Sequence, residues 1–165
     1  MKIYLFPFLF FGLFALSFSC NNSNHKIKQQ EPQDKTVFDS LLAQKYGVDS
    51  YGMKSYVMAF LKRGPNRSTD SVEASQLQKA HLENIARLAN EGKLIIAGPF
   101  MDDGDIRGIY IFDVKTIEEA QKLTETDPAI QKGSLVMELH PWYGSAALMA
   151  IPELHKKIEK TSVTD

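Results

Sequence analysis

The sequence has one cysteine in 165 residues, so neither an intrachain disulfide nor a multi-thiolate zinc site can be built from it. It also lacks an excess of either charge. Nineteen basic and twenty acidic residues leave a formal net charge of −1, too little positive field to hold a phosphate backbone, and no nucleic-acid partner is expected. P-loop, dinucleotide-fingerprint and Gly-x-Ser-x-Gly patterns are missing, and there is no internal repeat. His25, His140 and His155 have no ligand spacing, so no metal and no cofactor is expected. What is present, 44% apolar and 24% charged residues, suits one globular domain.

The longest apolar run is at the N-terminus, where Lys2 precedes Ile3 to Leu16. Pro7 and Gly12 interrupt it, and it is shorter than the ~20 residues of a spanning helix, so residues 1–19 read as a secretory signal peptide. Ser19-Cys20 resembles the lipobox of bacterial lipoproteins, in which cleavage leaves the cysteine first and its sulfur carries diacylglycerol. Leu16 stands one place too far upstream and Phe18 is bulky, so an ordinary signal with an incidental cysteine stays open. With Cys20 lipidated, the protein is expected in the bacterial cell envelope, membrane-anchored by its N-terminal lipid and facing the periplasm or the surface. Residues 20–36 are almost wholly polar and read as a disordered tether.

Residues 37–54 read as a short helical extension, with Val37, Phe38, Leu41, Leu42 and Tyr46 at helical spacing and Gly47 as a stop. Residues 55–143 then carry the folded pattern. Tyr56 to Leu61 is an apolar strand; Asp70 with Glu73 opens a helix that runs to Gly92. Leu94 to Ala97 and Ile106 to Val114 form a hairpin around Met101 to Asp105, Thr116 with Glu119 opens a second helix, and Leu135 to Leu139 is a fourth strand. Residues 144–165 form a helical tail. The order β-α-β-β-α-β defines an α+β, ferredoxin-like domain with both helices on one face of the sheet.

The first and third strands are apolar at consecutive positions, which implies that the second sheet face is covered as well. A homodimer packed sheet to sheet is the economical cover, with the segment Val37 to Tyr46 or the tail Ala146 to Ile158 as alternatives.

His81 stands out on the first helix. With Leu77 as origin and ~100° per residue, it falls at about 40°, close to Leu88 at about 20° and inside the apolar stripe. A core histidine satisfied by a backbone carbonyl accounts for this as well as a functional one. Asp127 precedes Pro128 and Gly133 closes the turn, so capping is a sufficient role for it; it gains a second role only if it lies against His81, where a carboxylate would fix the imidazole tautomer. Arg63 and Arg67 crowd the loop after the first strand, either as a solvated basic loop or as a clamp for a carboxylate or phenolate. Gly98, Pro99, Phe100 and Trp142 are candidate pocket residues, with plain packing as the alternative.

Ala80-His81-Leu82, Glu91-Gly-Lys-Leu-Ile-Ile-Ala-Gly-Pro-Phe100, Gly108, Glu118-Glu-Ala120, Asp127-Pro128 and Leu139-His-Pro-Trp142 together resemble the YCII-related (YciI-like) domain, over roughly Tyr56 to Trp142. The resemblance implies a dimeric α/β-barrel of ferredoxin-like units with a His and Asp pair in a pocket beside the sheet, matching His81 and Asp127. It also implies kinship with a branch that dehydrochlorinates a chlorinated hydroxyhydroquinone, and with barrels that include muconolactone isomerases. Two functions are therefore expected as alternatives. One is an enzyme without a cofactor in which His81 and Asp127 abstract a proton, isomerise or eliminate on a small molecule of unknown identity. The other is a lipid-anchored dimer that binds a ligand or has a structural role without catalysis.

Overall fold

A computed structural model describes residues 37–164 of the chain; the expected signal peptide, the expected lipidation at Cys20 and the expected tether lie outside the described residues. Asp39 caps a first helix, α1 (Ser40–Tyr46), by accepting from the Leu42 amide, and Gly47 closes it in the left-handed conformation. Then come β1 (Met53–Arg63), α2 (Ser71–Asn90), β2 (Leu94–Pro99), β3 (Ile106–Phe112), α3 (Ile117–Thr124), α4 (Pro128–Gln131) and β4 (Leu135–Ser145). A 3₁₀ turn (Ala146–Ala150) and α5 (Ile151–Ile158) complete the order. No helix among the described residues is long and apolar enough to cross a membrane.

The sheet order is β2-β3-β1-β4, and every neighbouring pair is antiparallel. This is the ferredoxin-like plan, with the strands of each right-handed β-α-β unit separated by one intervening strand. Alternation along β1 sends Val57, Ala59 and Leu61 to the helices, where they meet Leu88 of α2, Ala120 of α3, and Tyr110 and Phe112 of β3 in one core. Gly108 is required where β3 meets β2, because a Cβ there would stand 2.6 Å from the Gly98 carbonyl oxygen.

Two strands, β1 and β4, are longer than the apolar runs suggested. β1 begins at Met53, so the helical part of the extension 37–54 is confined to Ser40–Tyr46. β4 continues six residues past Leu139 because it pairs with β1 through Met53↔Ser145. Pro141 is tolerated there because β4 is an edge strand.

The open face carries Met58, Phe60 and Ile109, all half-buried. It also carries charge: Lys62 pairs with Glu138, which accepts from His140 Nε2 at 2.9 Å. α1 does not cover this face. It has no buried residue, Leu41 being 78% exposed, and Phe38 just before it is 76% exposed. Both extensions reach the sheet at its margins: α5 of the tail lies beside β2, and Asp49, after α1, accepts from the Tyr143 hydroxyl of β4.

Candidate active site

α2 buries His81, Asn84 and Leu88, residues three and four apart on one stripe, which fixes the imidazole between the helix and the sheet. After α3 the chain turns at Asp127, and Pro128 at the first position of α4 sets the backbone for a short helical turn. Asp127 is wholly buried and uses both oxygens: Oδ1 accepts from the Ala129 amide at 2.9 Å, and Oδ2 lies 2.7 Å from His81 Nδ1. A carboxylate only accepts, so Nδ1 carries a hydrogen, and in the neutral imidazole the lone pair is on Nε2. Capping and pairing are therefore both true of this side chain.

β3 presents Gly108, Tyr110 and Phe112 to the helices. The Tyr110 hydroxyl stands 3.4 Å from His81 Nε2, and the two rings stack at 6.3 Å between centroids with 19° between planes. Burial, and then the charge of Asp127, push the phenol far above its ordinary value of 10.0, so it stays protonated and donates. One turn along α2, Asn84 Oδ1 accepts from Arg87 at 2.8 Å and from Thr126 at 3.0 Å.

His81 and Tyr110 open onto a cavity of about 390 Å³. Leu82, Ile85 and Leu135 make its walls apolar, and the exposed Arg67 stands among its lining residues. A small, largely apolar molecule with an anionic or polar group fits such a lining. A larger cavity of about 1020 Å³ lies elsewhere, around the Lys54–Asp113 ion pair at 2.8 Å. His81, one member of the buried His81–Asp127 pair, lines the smaller cavity, whereas the Lys54–Asp113 pair at the larger one is only partly buried.

Of the residues expected to line the pocket, Arg67, Gly98 and Pro99 do so beside His81. Arg63 does not. Its guanidinium turns to the β2–β3 hairpin, 3.4 Å from the Asp103 carbonyl oxygen and 3.6 Å from its carboxylate. Phe100 sits half-exposed at the hairpin base with its amide on the Arg107 carbonyl. Trp142 packs on Tyr56 at 5.8 Å and lies over Gly144, two residues along the same strand, where its ring leaves no room for a Cβ. Tyr110, Arg107, Gln78 and Val163 are cavity residues that the sequence did not single out. Tyr110 was hidden because it stands in an apolar strand, where only its hydroxyl and its phase with Gly108 and Phe112 mark it. Among the described residues no three His, Cys, Asp or Glu side chains converge as metal ligands would.

Comparison with known proteins bears on the same segment. A family model described as the YCII-related domain matches residues 56–143. The Bacillus subtilis (strain 168) protein called "Uncharacterized protein YjpA" is 32% identical over 62 residues, 38% of this chain and 71% of that one. Among solved structures, 5-chloro-2-hydroxyhydroquinone dehydrochlorinase (TftG) from Burkholderia phenoliruptrix AC1100, in complex with 2,5-dihydroxybenzoquinone, is similar with 19% identity and a TM-score of 0.40. The match covers 52% of this chain and 92% of that one.

Proposed function

We propose, on the premise that the chain belongs to the YCII-related domain family, that it is an enzyme of small-molecule chemistry in which His81 acts as general base and acid and Asp127 orients it. The observation that carries this reading is the 2.7 Å bond between two side chains that are both almost wholly buried, beside an open cavity. With Nδ1 held by the carboxylate, Nε2 is the proton-accepting atom on the cavity side. The imidazolium formed when it takes a proton is stabilised where it stands, without reorganisation. Proton abstraction followed by isomerisation or elimination needs no more than this, and no cofactor. Arg67 supplies a positive charge for an anionic group of the substrate. As part of the same proposal, the protein is exported, lipidated at Cys20, and paired with a second copy through the sheet face.

Wild type and His81→Ala, incubated with a panel of small phenols, enols and hydroxy acids and followed by mass spectrometry, provide the test. A compound transformed by wild type and left intact by His81→Ala, while still raising the melting temperature of both, supports the reading. Compounds that bind and are transformed by neither protein would leave a binding protein instead.

A further inference from the structure

Nε2 of His81 has one lone pair, and in this structure that lone pair already has a neighbour: the Tyr110 hydroxyl, 3.4 Å away. The direction of the bond in the neutral ring is set at its other end. Asp127 accepts from Nδ1, so Nε2 of the neutral ring bears no hydrogen and Tyr110 donates to it. Tyr110 also lines the cavity. Its ring is fixed by the edge of Phe112 at 5.7 Å and by the stack on His81, so the hydroxyl swings little. A phenol that spends its hydrogen on Nε2 keeps acceptor capacity on oxygen.

We propose that Tyr110 completes the site as its third member, holding His81 Nε2 by donation and exchanging protons between that nitrogen and a heteroatom-bound hydrogen of a ligand in the cavity. This rests on the His81 and Asp127 reading and narrows its substrate class. The ligand hydrogen passes to the Tyr110 oxygen as the Tyr110 hydrogen passes to Nε2, which leaves an imidazolium beside the Asp127 carboxylate and an anion in the cavity. Tyr110, carrying its new hydrogen, then donates to that anion, and its bond to Nε2 is replaced by the N–H now formed there. A neutral phenol oxygen is too weak a base to take hydrogen from carbon unaided, so the ligand presents an ionisable hydroxyl or similar acidic group at this point. Asp127, the N-cap of α4, bonds the His81 ring directly, and Arg67 and Arg107 are the charged residues of the cavity lining.

Nitrogen-15 spectra of the full-length protein, with histidine ring label and conditions that keep the ring neutral, test this without a substrate. The wild-type spectrum should show His81 Nε2 unprotonated and shifted upfield as a hydrogen-bond acceptor, with Nδ1 protonated. Tyr110→Phe preserves the ring and its packing, and should move Nε2 downfield to the position of an unbonded acceptor while Nδ1 stays in place. An Nε2 that carries the hydrogen in wild type, or one that does not move in a folded Tyr110→Phe, overturns the proposal. Should Tyr110→Phe fail to fold, the wild-type spectrum alone decides the donor direction. Asp127→Asn separates the two levels of argument: if it leaves the Nδ1 signal unchanged, the His81–Asp127 reading itself fails, whereas a response to Asp127→Asn without one to Tyr110→Phe defeats only the third member.

Discussion

Asp127 Oδ2 lies 2.7 Å from His81 Nδ1 across 46 residues of chain, while the other oxygen of the same carboxylate caps α4. One side chain thus ties a helix terminus to an imidazole, and the stability of the turn and the orientation of the site are not independent.

The two duties separate by substitution. Asp127→Asn can still accept from the Ala129 amide but faces His81 with a donor or a reoriented amide, and should cost about 1 kcal/mol. Asp127→Ala loses the cap as well and should cost about 1 kcal/mol more. His81→Ala leaves a wholly buried carboxylate with one oxygen unpaired and should cost about 3 kcal/mol or more. Urea denaturation of the three variants should rank them His81→Ala, Asp127→Ala, Asp127→Asn, from least to most stable.

Alkaline pH should find Tyr110. Burial and the neighbouring Asp127 raise its folded-state value above the ordinary 10.0, so the folded protein keeps a proton that the unfolded chain gives up. Its contribution is complete below about pH 10 and is lost as pH rises beyond it. Denaturation midpoints of wild type should fall more steeply than those of Tyr110→Phe above that pH, and the two curves should run parallel below it.

The two glycines of the β2–β3 contact should respond differently. Gly108→Ala places a methyl 2.6 Å from the Gly98 carbonyl oxygen and should destabilise by about 1–3 kcal/mol. Gly98→Ala meets nothing within 4 Å and should stay within about 0.5 kcal/mol of wild type. Thermal melts of both decide it.

Most of the framework was legible because caps and stops are local. Asp70 accepts from the Val72 and Glu73 amides and Thr116 from Glu119, as their sequence patterns require, and Gly92 takes the left-handed conformation that ends α2. The site was legible only in halves. The helical phase of His81 puts it in the apolar stripe, but nothing within a few residues of it says that Asp127 is opposite, since that meeting depends on how α4 packs on α2. Arg63 was misplaced for the same reason. Its place near the loop after the first strand groups it with Arg67, whereas its position as the last residue of β1, where its amide bonds the Asp105 carbonyl, directs it to the hairpin. Trp142 read as a strand-end aromatic because β4 was ended at Leu139; its pairing opposite Tyr56 became visible only with the full register.

Self-association is the prediction that concerns the open face. Met58, Phe60 and Ile109 stay half-buried there, and α1 leaves them uncovered. A two-fold pairing over this face should bury well over ~1,000 Å². Light scattering on the chain from residue 36 onward should give twice the monomer mass at micromolar concentration, and Phe60→Asp should return it to monomer.

Anchoring is decided in cells. With lipid on Cys20, detergent extraction should place the protein in the detergent phase, and Cys20→Ser should release it to the aqueous phase with altered processing. Equal partitioning of the two would show that the cysteine carries no lipid.

Val163, twenty residues beyond the last position matched by the family model, stands among the residues that line the His81 cavity while remaining 71% exposed itself. The unit that sequence comparison recognises and the unit that encloses the site therefore have different edges. A fragment trimmed to the recognised edge would present a wider mouth and a different apolar rim, and ligand selectivity measured on it would belong to the fragment. A relative with the same His and Asp pair but another segment after β4 would be the same lock behind a differently shaped door.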